Sequence, residues 1–284
     1  MNTVTLPAYA KLNLTLDILG KRADGYHELA TVMQSVTLHD DVTVTLTERS
    51  GIVCRCGTLP GDESNLAVRA AKAFFAGTGI APRGLAIDVE KRIPTQAGMA
   101  GGSADAAAVL HALRALLAPG MTVQELETLG EQVGSDVPYC VRGGTALAEG
   151  RGEKLTTLKA APRFHVVVCK PDFSVSTPVL FRRSDASEIT DRPDTAGMLD
   201  AIEAGDAPGV AARVFNVFEA VLAQAEQKAV FSIKETLLAL GASAAAMTGS
   251  GPTVFGLFTG LHQAQLAYHH LKRSYQQTFL SEFV

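Results

Sequence analysis

From Pro94 to Leu117 a glycine-rich segment runs without a break into an alanine-rich apolar stretch, PTQAGMAGGSADAAAVLHALRALL. This junction restricts the chain more than any other: it reads as a loop opening directly into a buried helix. Gly98, Gly101 and Gly102 carry no Cβ, so a polyanion can approach the backbone closely. The first amides of the helix have no intrahelical partner, and the helix dipole makes that end positive. Such a junction suits phosphate, and Ser103 adds a hydroxyl at its mouth. The plainer alternative is a flexible turn with a tightly packed helix behind it. No G-x-x-x-x-G-K-[ST] segment occurs, so the site is not a P-loop.

Composition limits what could use such a site. The chain has 284 residues, 47% hydrophobic and 19% charged, which suits a globular protein. Single cores rarely grow beyond about 250 residues, so two domains are expected, 1–160 and 161–284. A net charge of −4 argues against a broad nucleic-acid surface; an anionic substrate must be held locally. No apolar run of about 18 residues is present, and MNTVTLPAYAKLNL lacks the pattern of a secretory signal. The expectation is a cytoplasmic protein without membrane or nucleic-acid partners, a monomer or weak homodimer acting on a small molecule. The four cysteines read as reduced and structural, and the seven histidines show no metal-binding spacing.

Hydrophobic periodicity predicts a strand-rich first half with inserted helices. Strands are expected at Thr3–Leu6 and Leu12–Leu19, with Leu12, Leu14, Leu16 and Ile18 on one face. Two more, Val32–Leu38 and Val42–Leu46, flank a turn-like His39-Asp40-Asp41, and Leu85–Glu90 is another. Helices are expected at Asn65–Ala76, with Ser64 as N-cap, and at Thr122–Val133, opened by a Thr122/Glu125 capping box. Phe164–Cys169 opens the second domain. That domain reads as helices at Ser176–Phe181, Thr195–Ala204, Pro208–Phe215, Ala225–Leu240 and from His262. Its remaining strands are Ala244–Met247, Thr253–Leu257 and Thr278–Phe283, and Asp185–Asp194 is a polar loop.

Further segments carry chemistry. In PAYAKLNLTLDILGKRADGYHEL, Lys11 and Asn13 share the strand face opposite Leu12 and Leu14. A lysine there is either a snorkelling edge residue or a buried functional cation. The Asp24-Gly25 turn presents Tyr26 and His27, which either close a loop or stack on and hydrogen-bond to a base. In GSDVPYC, Asp136 precedes Val137-Pro138; proline restricts the residue before it, so a backbone fixed away from helix is expected there. Its carboxylate is a general-base candidate or the N-cap of the next element. TGSG, at Thr248–Gly251, is a plain turn or a second amide-rich loop.

Together these segments resemble the GHMP kinases, in order and over essentially the whole chain. The motifs are PAYAKLNLTLDI (with an insertion between Pro7 and Ala10), GKRADGYHEL (with Lys21 inserted), Ser64–Ala70, the loop Pro94–Ala104, GSDVP and TGSGPTVF. The resemblance implies a two-domain α/β (α+β) fold with the active site in the interdomain cleft. It further implies transfer of phosphate from ATP, with Mg²⁺, to an alcohol. The DGYH segment narrows the acceptor to the 2-hydroxyl of 4-diphosphocytidyl-2-C-methyl-D-erythritol. By the same resemblance Asp136 takes or orients the hydroxyl proton, and Lys11 holds Asp136 and the hydroxyl and stabilises negative charge near the transferred group. Pro94, Ala97, Gly98, Met99, Ala100, Gly101, Gly102 and Ser103 cradle the phosphates, and Asn65 lies near adenine. Tyr26, His27 and Phe181 take the cytosine, Phe181 as the second ring of a sandwich, and Asn13 faces the polyol. Ala100 and Ala104 stand where the family pattern has glycine and a second serine, which leaves the hydroxyl role to Ser103. A kinase for homoserine or mevalonate, or a nucleotide-binding relative without catalysis, are the alternatives.

Overall fold

In the computed structural model, which describes residues 2–284, the first strand does not stop at Leu6. β1 runs unbroken over Thr3–Lys21 and β2 over His27–Thr47. The expected turn at His39-Asp40-Asp41 does not form, because Asp40 is drawn inward. Its Oδ1 accepts the backbone N–H groups of Arg92 and Ile93, and its Oδ2 accepts from Lys91 Nζ. Pro7 is accommodated inside β1 because this stretch lies beyond β2 at the end of the strand order; β8, the next strand, pairs with β1 only at Thr15–Leu16.

The chain divides into two compact units that do not follow a single cut near residue 160. The first comprises the chain up to Ala10, His39–Thr95 and Ala100–Gly143; the second comprises Lys11–Leu38, Gln96–Met99 and Gly144–Val284. β1 and β2 each give one part to each unit.

In the first unit β3 (Ile52–Arg55), absent from the sequence-based expectation, runs parallel to β4 (Gly84–Glu90), with Ile52 opposite Leu85. β4 pairs antiparallel with β2, Val44 opposite Ile87. Helices α1 (Leu66–Thr78), α2 (Gly101–Leu117), α3 (Val123–Glu131) and α4 (Val137–Arg142) pack on one another. Phe74, Leu85, Ile87, Leu110, Leu113, Leu126 and Tyr139 are fully buried, each worth about 1.5–3 kcal/mol for the larger aliphatic and aromatic side chains. The Thr122/Glu125 capping box forms as expected. The cap of α1 is Asn65, not Ser64: Asn65 Oδ1 accepts from Ala67 N, while Ser64 bonds to Asp62. Val137 and Pro138 begin α4, and Asp136 at its N-cap has φ −84° and ψ −10°. The expected non-helical backbone is absent because proline in a first turn needs no N–H partner.

In the second unit β1 and β2 continue into a sheet with β5 (Thr145–Gly150), β6 (Lys154–Thr157) and β8 (Phe215–Asn216), in the order β6-β5-β2-β1-β8. A second, antiparallel sheet has the order β11-β7-β10-β9: β11 is Gln277–Glu282, β7 His165–Lys170, β10 Val254–Phe258 and β9 Ala244–Met247. α8 (Gln224–Ala239) and α9 (Leu261–Lys272) pack on it. α5 (Thr177–Asp185), α6 (Thr195–Ala204) and α7 (Ala207–Ala212) complete the unit. α7 stops before Phe215, which belongs to β8 and not to the helix expected there. The core joins Leu16 and Ile18 of β1 to Val167, Phe218, Leu237 and Phe258. The opposite face of β1 is buried too: Lys11, Asn13, Thr15 and Asp17 form a polar row inside the protein. Such a row is tolerated only where each group finds a partner.

Candidate active site

The partners of that row define the site. Lys11 is 4% exposed, and its Nζ donates to Asn13 Oδ1 at 2.5 Å. The same oxygen accepts from Thr248 Oγ1 at 3.3 Å, and that hydroxyl in turn accepts from Asn13 N at 3.0 Å. Asn13 Nδ2 donates to Thr31 Oγ1, which donates to Thr15 O. The edge reading of Lys11 is thereby excluded. Among the described residues no carboxylate forms an ion pair with its ammonium, so the expected hold of Lys11 on Asp136 is not formed; Asn13, two residues along the same strand face, takes its place. A buried cation held only by a neutral oxygen is electrostatically incomplete and favours an incoming anion.

The glycine loop is built around this point. Gln96, Gly98 and Ala100 have φ of 51°, 70° and 58°, while the side chains of Ala97 and Met99 between them are buried anchors. Lys11 N donates to Met99 O at 3.2 Å. The TGSG turn lies directly against the loop. A Cβ on Gly98 would fall 2.2 Å from Thr248 O, and one on Gly249 would fall 2.6 Å from Gly98 O. Only glycine allows this approach, so TGSG is more than a plain turn. Beside them a cleft of about 420 Å³ is lined by Gln96, Gly98, Ser174–Thr177, Ser250 and Gly251. Thr177 and Ser250 share a hydroxyl hydrogen bond of 2.7 Å there. Phosphate would meet backbone amides and hydroxyls in this cleft.

Elsewhere in the second unit the ADGYHE turn forms with Gly25 at φ 85°. Tyr26 N donates to Asp24 Oδ1, and the Tyr26 ring is 55% exposed with Arg151 5.0 Å from its centroid. His27 is buried, and its Nε2 lies 2.7 Å from Asp185 Oδ1. Hydrogen bonds from Lys21 and His27 hold the Asp185 carboxyl below the usual range. Phe181 stacks on the His27 ring, centroids 4.4 Å apart and planes 15° apart, and meets Phe218 edge-on. One face of the Phe181 ring is thus backed by His27. Asp185, read from sequence as the start of a loop, ends α5 and orients the imidazole.

In the first unit Pro94 and Ile93 lead to the loop and Gly101–Ser103 form the first turn of α2. Behind that turn Lys91 Nζ donates to both Asp40 and Asp105, two buried carboxylates. Burial works against the Lys91 charge, yet the two acids hold its pKa above the usual value; burial pushes the Asp105 carboxyl up. Asp105 Oδ1 is buried without a hydrogen-bond partner. No periodicity or spacing distinguished this triad from solvated charges. Asn65 has both ends of its carboxamide engaged, Nδ2 with Pro60 O and Oδ1 with Ala67 N. It therefore shapes the start of α1 first, and any contact with a base is shared with that duty. Asp136 occupies the N-cap of α4 but makes no capping hydrogen bond, which leaves its carboxylate available for proton transfer. None of the four cysteines is joined in a disulfide. A larger groove, about 700 Å³, lies between β3, the 61–63 turn and α1 and contains none of the candidate residues.

The chain is similar to known proteins over nearly its whole length. Residues 65–144 match the GHMP kinases N terminal domain and residues 198–277 the GHMP kinases C terminal domain. A 4-diphosphocytidyl-2-C-methyl-D-erythritol kinase of Alkaliphilus metalliredigens is 41% identical over 284 residues, spanning 99% of this chain and 96% of that protein. The enzyme of the same name from Acetivibrio thermocellus is 41% identical over 286 residues, the whole of both chains. A crystal structure of 4-(cytidine 5'-diphospho)-2C-methyl-D-erythritol kinase superposes with a TM-score of 0.84 at 33% identity over 99% of each chain. A homoserine kinase from Cytophaga hutchinsonii, 18% identical with a TM-score of 0.75 over 100% of this chain and 95% of its own, shares the fold. The chain belongs to the GHMP kinase family.

Proposed function

We propose that the protein transfers the γ-phosphoryl group of ATP to the 2-hydroxyl of 4-diphosphocytidyl-2-C-methyl-D-erythritol, giving the 2-phosphate and ADP. The observation that carries the acceptor is likeness over the full length, about two residues in five, to kinases named for that substrate. The local geometry supports the reaction type. Catalysis of phosphoryl transfer is chiefly positioning and charge stabilisation. Lys11 supplies a buried positive charge with no anionic partner, matched to negative charge that grows as the phosphoryl group moves. The Gly98 loop, backed by TGSG, supplies amides for the phosphates, and Gly101, Gly102 and Ser103 open α2, whose N-terminus favours anions. In the reaction the acceptor oxygen bonds to the γ-phosphorus, the bond from that phosphorus to the β,γ-bridging oxygen breaks, and the hydroxyl proton passes to Asp136.

The nucleotide would enter with Mg²⁺ on its phosphates, as kinase substrates do. Of the residues at the loop, Ser103 offers a hydroxyl, whereas the neighbouring carboxylate of Asp105 is committed to Lys91. This donor set suits an ion carried mainly by phosphate oxygens and water. Tyr26 gives the cytosine an exposed face for stacking, and His27, held by Asp185, presents its remaining ring nitrogen to the base edge. Asn13 faces the polyol while anchoring Lys11.

A coupled assay of ADP release tests the proposal directly. Release should depend on the diphosphocytidyl substrate and fall sharply with its uridine analogue, homoserine or mevalonate. Equal turnover with either of the last two would reassign the acceptor, and ATP binding without turnover on any of them would leave a nucleotide-binding protein.

A further inference from the structure

A buried carboxamide outside every motif discussed so far holds the TGSG turn in place. Asn216, 3% exposed, ends β8, whose residues pair in parallel with Thr15 and Leu16 of β1. Its Nδ2 donates to Met247 O at 2.7 Å and to Gly249 O at 2.9 Å, the carbonyls on either side of Thr248. Its Oδ1 accepts from Phe218 N and so starts a short 3₁₀ helix, Val217–Val221. From that helix Glu219 reaches back: its Oε1 accepts from Met247 N at 2.7 Å, while its Oε2 accepts from Lys234 Nζ. The amide and carbonyl of Met247 and the carbonyl of Gly249 are thus all fixed by two side chains three residues apart in the segment NVFE.

What they fix is Thr248, and Thr248 touches both halves of the phosphate machinery. Its hydroxyl bonds to Asn13, the acceptor of Lys11 Nζ, and its carbonyl limits the position of Gly98. We propose that Asn216, steadied by Glu219, is a positioning residue for phosphoryl transfer: it sets where Thr248 stands, and through Thr248 where the Lys11 ammonium and the glycine loop stand. The proposal rests on the reading that Lys11 and the loop act on the transferred phosphate. An amide is required because two diverging hydrogens must leave one nitrogen on a short stem. A carboxylate would set oxygen against oxygen, and a leucine would leave two buried carbonyls unpaired.

The decisive measurements are kcat and both KM values, from pH 6 to 8.5, for Asn216→Leu and Asn216→Asp, together with calorimetric titration of a non-hydrolysable ATP analogue and melting curves. Displacement of the order of 1 Å at a reacting group costs about 10²-fold in rate. Asn216→Leu should therefore lose roughly 10–10² in kcat, with KM for the diphosphocytidyl substrate close to the parent value, since Tyr26 and His27 lie on other elements. Asn216→Asp supplies a signature that mere destabilisation lacks. A buried carboxyl facing two carbonyls is disfavoured as the anion and can donate one hydrogen bond once protonated. Its kcat relative to the parent should rise several-fold as pH falls across the range, at temperatures well below its melting point. Should the leucine variant fail to fold, the pH dependence of the aspartate variant decides. Should the parent itself show no release with this acceptor, the functional reading fails separately, and analogue affinity then decides: the proposal requires weaker binding in both variants. Folded variants with parental kcat, a flat kcat ratio against pH and unchanged analogue affinity would reduce Asn216 to a satisfied core residue.

Discussion

Replacing Gly98 with alanine tests whether the glycine loop and the TGSG turn must touch. The new Cβ would sit 2.2 Å from Thr248 O and 2.9 Å from Gly251 N. Both are backbone atoms, so neither can swing away as the end of a side chain would. An ordinary contact needs about 3.5 Å, so loop and turn must part by roughly 1 Å. The left-handed φ of 70° adds about 1–2 kcal/mol for any residue with a Cβ. With about 1 kcal/mol more for the forced separation, the cost of about 2–3 kcal/mol falls in the usual range for a strained backbone substitution and should lower the melting temperature by roughly 4–10 °C. In the fraction that stays folded, kcat should fall about 10²-fold because Lys11 and the phosphate loop lose their register. Gly102→Ala is the internal control: its Cβ meets only Leu66 Cδ1, at 3.5 Å, within α2. That variant should melt no lower than the parent, since a helical glycine costs about 0.5–1 kcal/mol relative to alanine, while still weakening ATP if the α2 amides bind phosphate. Thermal unfolding by circular dichroism and coupled ADP release measure both effects. A Gly98→Ala protein with the melting temperature and kcat of the parent would refute the close-approach argument.

Asp136→Asn should keep ATP-analogue affinity while turnover falls by roughly 10²–10⁴, the range for a general base; single-turnover phosphate transfer checks it, and near-parental turnover removes Asp136 from proton transfer. Lys11→Met should lower kcat by about 10²–10³ in a protein that still melts cooperatively, because the apolar stem continues to pack; unchanged kcat would return Lys11 to a packing role. Asp185→Asn should raise KM for the diphosphocytidyl substrate several-fold and leave KM for ATP alone, which steady-state kinetics would reveal. Its stability effect has a defined sign. The Asp185 pKa is lowered in the fold, so its stabilisation is present above the unfolded value of about 4 and lost as pH falls through the folded value; melting curves of parent and variant should converge at low pH and separate at neutral pH. Ala100→Gly should relieve a left-handed alanine at φ 58° and stabilise the protein by up to about 1 kcal/mol; a lower melting temperature would mean that the Ala100 methyl packs usefully.

Where local chemistry decided the structure, the sequence was readable. The glycine loop and α2, the Thr122 capping box and the helix Thr195–Ala204 all form where turn, cap and period signals agree. The misreadings share a cause, a tertiary partner that outweighs a local signal. His39-Asp40-Asp41 has the composition of a turn, but Lys91 and two backbone amides hold Asp40 within a strand. Ser64 is the exception, lost to a local contact: Asp62, two residues away, engages the serine and Asn65 caps α1 instead. The buried side of β1 was hidden because the pattern of Leu12, Leu14, Leu16 and Ile18 accounts for only one face. The other is polar and depends on Thr31 and Thr248, distant in sequence. For the same reason the order of residues pointed to Lys11 and the glycine loop, whereas Asp185 behind His27 and Lys91 behind α2 emerged only from the fold.

The division of β1 and β2 between the units has a consequence for biosynthesis. The first unit is complete once Gly143 has left the ribosome, but the second draws on residues 11–38 as well as 144–284. At translation rates of 5–20 residues per second, the remaining 141 residues (284 minus 143) take roughly 7–28 s to appear. For most of that interval Leu16 and Ile18 of β1 wait for Leu237 and Phe258, and Val36 of β2 waits for its bridge partner Phe283, which leaves apolar side chains uncovered and a strand edge open. An apolar, unpaired edge of this kind is a template for intermolecular pairing. The nascent chain is therefore a client for ribosome-associated chaperones at this segment, and slower elongation lengthens its exposure.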